Sequence, residues 1–343
     1  MSLPHRPPVP GMDASDEAEL TELLDLLQAD EWPEDLLEGR EFYDGWGTPV
    51  AADIEVSERR VGGVAAWLLT PPDADATRIG LWLHGGGYVF GSQRSHGAMV
   101  AEAARAAGIP FLHPQYRRAP EHPYPAALED VLSVYAALLA EGRAPETVLV
   151  AGDSAGGGLV LAMLLAARDR GLPTPGAAAC VSPWTDLAGT GETFTSKESI
   201  DPLITRSVVD DVQKAYLAGV DPETPYASPH YGDPHGFPPV LIQVGEREML
   251  HSDAERFAAK LAAAGVPVHL EVWPGMVHVW HLHHIRLAKA RQALSRLGAF
   301  LRAPATAVPP SAPASSVPTS APPSATPSPA PVTGGDACVR VTP

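Results

Sequence analysis

From residue 53 onward the chain alternates short unbroken apolar runs with longer stretches rich in helix formers. The short runs at 54–56, 64–69, 79–83, 109–113, 148–151, 177–181, 240–244 and 268–272 read as strands. Those such as Val148-Leu149-Val150-Ala151 have the uninterrupted, β-branched character of parallel strands buried on both faces. The longer stretches at 98–107, 126–140, 155–170 and 253–264, with a last one near 287–301, read as helices. Strands alternating with helices imply right-handed crossovers and an eight-stranded, mostly parallel sheet covered on both faces. No helix separates the first two strands, so they are expected to form an antiparallel edge.

Two regions depart from this rhythm. Near the N-terminus, Leu20, Leu23, Leu24 and Leu27 recur at helical spacing behind an acidic first turn, which predicts an amphipathic helix with one stripe to bury. Trp32, Phe42, Tyr43 and Trp46 follow as an aromatic segment laid over the main domain. The interval 185–239 offers turn residues, no clear strand and one helix around 208–217; it reads as an insertion over the carboxyl ends of the strands, where α/β proteins bind ligands. The expected organisation is an N-terminal cap segment at 1–46, an α/β domain at 47–303 carrying a cap insertion at 185–239, and a tail at 304–343. Eleven of the 40 tail residues are proline and the apolar pattern is lost, so the tail is expected to be disordered. Its prolines would suit a polyproline partner, but a flexible appendage is the simpler reading.

Composition narrows the choice of partners. With 24 Lys and Arg against 41 Asp and Glu the formal charge is -17, which repels phosphate backbones and anionic membranes, so neither nucleic acid nor membrane is expected as a partner. The 45% hydrophobic content is ample for a core. Two cysteines, Cys180 in an apolar run and Cys338 in the tail, make no disulfide framework and fit a reducing compartment. The first eleven residues are proline-rich without the apolar run of a signal peptide, and the longest later run, near 159–167, is too short to span a bilayer. A cytoplasmic location is expected, and a homo-oligomer is left open.

The chemistry centres on Gly152-Asp153-Ser154-Ala155-Gly156, a GxSxG pentapeptide between an expected strand and an expected helix. On such a turn the flanking glycines let the backbone bend and hold the Ser154 hydroxyl outward, at the positive end of the helix. A serine hydroxyl needs a base, an acid to orient that base, and donors for the oxyanion. His84-Gly85-Gly86-Gly87 follows the strand at 79–83. Gly85, Gly86 and Gly87 with Ala155 are the oxyanion-hole candidates, through backbone N–H groups that converge on the substrate carbonyl. His84 reads as a structural hydrogen-bonding residue.

Several segments in order, His84 to Ser92 (HGGGYVFGS), Tyr116 to Pro125 (YRRAPEHPYP), Gly152 to Gly157 (GDSAGG) and Ser182 to Leu187 (SPWTDL), resemble the hormone-sensitive lipase family of α/β-hydrolase carboxylesterases, the bacterial family IV. The resemblance covers about residues 32–301. It implies the α/β-hydrolase fold with a helical cap built from the N-terminus and the insertion, and small, short-chain acyl esters as substrates. Triad order in that fold places the base after the last strand. Trp273-Pro274-Gly275-Met276-Val277-His278 fits and matches the family's GxxH segment, which makes His278 the base.

His281, His283 and His284 lie close by, but no Asp or Glu falls among them, so they read as surface or pocket-edge residues rather than a metal site. The acid is Glu248, in the loop after the strand at 240–244; the family usually has an aspartate there, and the fold accepts either carboxylate. Ser252 with Glu255 spells a capping box, which assigns Asp253 to the first turn of the following helix. Asp201-Pro202-Leu203 imitates the family's acid triplet but precedes the required strand, so Asp201 reads as a cap residue. Asp153, Arg117 and Glu121 read as charges that hold loops around the elbow.

The function expected is a serine carboxylesterase with a Ser154–His278–Glu248 triad, an acyl-enzyme intermediate, and no metal or cofactor. A lactonase or deacetylase would use the same triad. A non-catalytic receptor on this fold is the alternative of another class, disfavoured by the retained histidine.

Overall fold

The computed structural model describes residues 8–27, 32–33 and 35–303; the expected tail at 304–343, with Cys338, lies outside the described residues. Eight strands form one sheet: β1 (Glu55–Val61), β2 (Val64–Thr70), β3 (Ile79–Leu83), β4 (Phe111–Pro114), β5 (Val148–Asp153), β6 (Ala177–Val181), β7 (Val240–Gly245) and β8 (Val268–Trp273). Their spatial order is β1-β2-β4-β3-β5-β6-β7-β8. β1 pairs antiparallel with β2 and β2 with β4, while every pair from β4 through β8 is parallel. The expected antiparallel edge is therefore present. β1 runs well past the expected 54–56, because its continuation Ser57-Glu58-Arg59-Arg60 is polar on an exposed edge and carries no apolar signal.

Among the described residues nine α-helices occur: α1 (Ala14–Leu27), α2 (Leu36–Asp44), α3 (Gln93–Ala107), α4 (Ala126–Ala140), α5 (Ala155–Asp169), α6 (Thr193–Ser196), α7 (Arg206–Leu217), α8 (His251–Ala263) and α9 (Ala288–Arg302). One apolar layer joins Leu81, Val150 and Ile242 of the sheet to Val131, Leu161 and Phe257 of α4, α5 and α8. The opposite face joins Trp82, Phe111 and Leu241 to Met99, Leu294 and Leu297 of α3 and α9. Cys180 is a buried core residue of the first layer. No described helix is long and apolar enough to cross a membrane.

The stripe on α1 is covered as its spacing requires. Leu20 and Leu23 pack against Trp273, Met276, Trp280 and Leu287, around the loop that leaves β8. Burial of each leucine contributes roughly 1.5–3 kcal/mol. The Lys289 ammonium, 3.0 Å from Asp16 in a buried ion pair, fastens α1 to α9. Helix α2 lies on the loop that leaves β3: Arg40 donates to the Val89 carbonyl (2.9 Å) and to the Ala119 carbonyl (2.9 Å), and pairs with Glu121 (2.7 Å). Trp32 packs edge-on against Phe42, Trp46 and Phe90.

The interval 185–239 contains α6 and α7 rather than a single helix. Helix α7 faces the β3 loop, where Tyr216 stacks on Tyr88 with ring centroids 3.7 Å apart.

Candidate active site

Strands β3, β5, β6, β7 and β8 all deliver a functional segment at their carboxyl ends. The turn after β5 places Ser154 at φ 53° and ψ -123°, a conformation that costs an L-residue roughly 1–3 kcal/mol. Neighbouring backbone holds it there: Ser154 N–H donates to Val181 O (2.8 Å), and Ser154 O accepts from Gly158 N (3.0 Å) and Trp184 N (3.0 Å). The positive φ thus falls on the serine itself, not on the flanking glycines from which the sequence suggests the bend. Gly156 is required for close approach instead, since a Cβ there would run into the Leu83 and His84 carbonyls.

His278 stands between Ser154 and Glu248. Its Nε2 is 2.9 Å from Ser154 Oγ, and its Nδ1 is 2.9 Å from Glu248 Oε2. Glu248 is wholly buried, and Ser154 and His278 are each 9% exposed, so water does not surround the carboxylate. An ionised Glu248 accepts from Nδ1–H and leaves the Nε2 lone pair facing the serine, the tautomer a general base needs. Burial works to lower the His278 pKa, but the hydrogen bond and charge of Glu248, reinforced by Asp201 and Asp153, outweigh it and raise the pKa above 6.5. Burial raises the Glu248 pKa, against its bonds to His278, Ser182 and Gly245.

Ser182, which the sequence reading left without a role, ties Glu248 to the segment that carries His278. Its hydroxyl donates to Glu248 Oε1 (2.7 Å) and accepts from Val279 N (3.2 Å), the residue after His278. The residue belongs to the SPWTDL segment, which follows β6 directly; its position at the end of the strand beside β5 was the available signal.

In the loop after β3, Gly85 N–H donates inward to Asp153 Oδ2 (3.0 Å), so this glycine shapes the loop and is not a free donor. Among the described residues no acceptor is paired with the N–H groups of Gly86, Gly87 or Ala155. Asp153 also accepts from Trp82 Nε1 (2.9 Å) and lies 3.2 Å from His96 Nε2, a structural anchor between elbow and glycine loop. His84 stacks on Tyr116 (4.2 Å between centroids), whose hydroxyl donates to the His84 carbonyl. Arg117 pairs with Asp130 (2.8 Å) and Glu121 with Arg40.

Three readings change. Helix α8 begins at His251 with no side-chain cap, Ser252 bonds to Thr193, and Glu255 lies 3.2 Å from His251, so the capping box does not form. The tertiary partners from 193 compete for the serine. Asp253 sits in the first turn, yet its carboxylate accepts from Thr185 N (2.9 Å) and Asp186 N (3.0 Å) rather than serving the helix or His278. Burial and the charge of Asp186 raise its pKa to about 7.

The third change concerns the histidines beyond the base. Of the surface or pocket-edge reading only the second half holds, for His283: His281, His283 and His284 are 0%, 8% and 8% exposed. His281 Nε2 lies 3.0 Å from Gln243 Oε1 inside the fold. His283 lines a cavity of about 770 Å3 between α1, α2 and the Trp280–His283 turn, with Leu23, Phe42, Trp46 and Leu282; neither Ser154 nor His278 lines it. Among the described residues no three His, Cys, Asp or Glu are grouped as metal ligands.

A mostly parallel sheet with a serine at the turn after β5 and a histidine after its last parallel strand defines an α/β hydrolase. Residues 80–282 match the family model described as alpha/beta hydrolase fold, and the chain belongs to that family, in its hormone-sensitive lipase branch of esterases. It is similar to an acetyl-hydrolase of Streptomyces hygroscopicus, 46% identical over 71% of this chain and 81% of that protein. Among solved structures it resembles an esterase/lipase from an uncultured bacterium (41% identity, TM-score 0.81, 84% of this chain and 99% of the other). It also resembles an esterase from the bacterial hormone-sensitive lipase family (40% identity, TM-score 0.81, 85% of this chain and 99% of the other). The chain is thus an ester hydrolase, and the non-catalytic alternative falls away.

Proposed function

We propose that the chain is a serine carboxylesterase that cleaves small, short-chain acyl esters through Ser154, His278 and Glu248. The observation that carries this reading is the hydrogen-bond chain from Ser154 through His278 to Glu248, 2.9 Å at each step. His278 Nε2 takes the hydroxyl proton as Ser154 Oγ attacks the acyl carbon; Glu248 holds the ring and stabilises the imidazolium. The N–H groups of Gly86, Gly87 and Ala155 receive the oxyanion, with Gly85 setting the loop. The tetrahedral adduct collapses, the alcohol leaves with the proton from His278, and an acyl group remains on Ser154. Water, deprotonated by His278, then attacks the acyl-enzyme and releases the acid. Each step uses only this chain's residues and water.

The N-terminal segment at 1–46 and the insertion at 185–239 act in this account as a cap. Arg40 of α2 holds the β3 loop, and Val212 of α7 approaches Gly87 so closely that a Cβ on the glycine would touch it at 3.0 Å. A wall that near the oxyanion loop favours short acyl groups. The acetyl-hydrolase similarity supports a second reading within the same chemistry, removal of an acetyl group from a more complex substrate.

A series of p-nitrophenyl esters from C2 to C16, run beside N-acetyl and lactone substrates, tests both. Turnover should be greatest at C2 to C4 and decline steeply beyond. A long-chain optimum would contradict the short acyl site.

A further inference from the structure

We infer that Asp201 is a positioning residue for the Glu248–His278 pair, coupling the seating of the insertion to the loop that carries the acid. This rests on the triad reading above.

Asp201 lies in the insertion and is 6% exposed. Its Oδ1 accepts from Leu203 N (3.0 Å) and Ile204 N (3.0 Å), closing the turn that leads into α7. That half of the carboxylate is the cap the sequence suggests. Its Oδ2 accepts from Met249 N (2.8 Å), the residue after Glu248 and 48 positions away in the chain. A second side chain of the insertion completes the grip, since the Thr193 hydroxyl donates to Met249 O (2.5 Å). Both backbone polar groups of Met249 are therefore held by the insertion.

Leu203, two residues on, packs against the apolar cluster to which Met276 and Val277 of the base loop belong. One short segment thus grips the acid loop by hydrogen bond and the base loop by packing. A carboxylate accepting three backbone N–H groups, that of Met249 buried, is a charge-assisted, directional fastening.

The same carboxylate contributes charge. The groups that bear on His278 are Glu248 from the loop after β7, Asp201 from the insertion and Asp153 from the end of β5, with the neutral ring of His281 on its own loop. Lys197 of the insertion donates to Glu246 O and stands nearer the acid loop than the base. Removing the Asp201 charge lowers the His278 pKa and moves the acid limb of the pH–rate profile to lower pH.

Asp201→Asn separates the roles. Asparagine caps a turn as well as aspartate does, but it carries no charge and cannot offer carboxylate oxygens to both partners. On p-nitrophenyl acetate, folded D201N should lose about tenfold in kcat with KM little changed, and its acid limb should move to lower pH. Thr193→Val removes the other bond to Met249; it should lower kcat without moving the acid limb, and it carries the test of positioning if D201N fails to fold.

Wild-type kcat and an unmoved limb in folded D201N would reduce Asp201 to a local cap and overturn the inference. Wild-type kcat in folded T193V would remove the grip on Met249 and overturn the positioning half. Ser154→Ala and Glu248→Gln, assayed alongside, report on the triad itself: activity there overturns the triad reading, whereas inactive controls beside a fully active D201N overturn only the role of Asp201.

Discussion

At the scale of single residues, the proposed triad rests on the two 2.9 Å contacts of His278. Glu248→Gln keeps the shape but removes the charge that orients the imidazole and stabilises its protonated form. It should cost about 10³–10⁴ in kcat, whereas Asp253→Asn should stay within a few-fold because Asp253 bonds to Thr185 and Asp186 instead. Steady-state kinetics of the two variants checks this, and a comparable loss in both would contradict it. The charge around His278 also sets a pH dependence. A base must be unprotonated, and a raised pKa delays that state to higher pH, so kcat/KM should fall on acidification with a midpoint above 6.5. A profile flat from pH 5 to 8 would contradict a histidine base. That Ser154 and His278 come together was legible because their neighbours spell family segments and because strand order dictates where each must fall. Ser182 was not, since a hydroxyl at a strand end reveals its partners only after β6 and β7 lie side by side; the burial of His281 was hidden for the same reason.

At the scale of elements, long apolar runs were read correctly and polar detail was not. The central strands announce themselves because they are buried on both faces, while most of β1 is a charged edge with no hydrophobic period. The capping box at Ser252 and Glu255 satisfies a local rule, but buried partners from the insertion outcompete it, an override that no local spacing could reveal. Helix α1 gives a test of how elements are fastened. Its leucine stripe predicts that it docks; the buried Asp16–Lys289 pair fixes where. Breaking a buried pair strands one charge, so Lys289→Ala should destabilise by about 3–5 kcal/mol in chemical denaturation. A change below about 1 kcal/mol would show that the pair is solvated and that the apolar contacts of α1 suffice.

Across the whole molecule, residues 124 apart in the chain meet at one hydrogen bond because the parallel strands β5 and β8 end on the same side of the sheet. That convergence was legible as strand order. The closeness of Val212 to Gly87 was not, because the path of an insertion depends on contacts that no period records. If Ser154 is the nucleophile, a fluorophosphonate must capture it covalently. Treating the folded protein with a fluorophosphonate and mapping the adduct by mass spectrometry should find one modification, on Ser154, in proportion to lost p-nitrophenyl acetate turnover, and none on Ser154→Ala. An adduct elsewhere with Ser154 unmodified, or full turnover by the alanine variant, would contradict it.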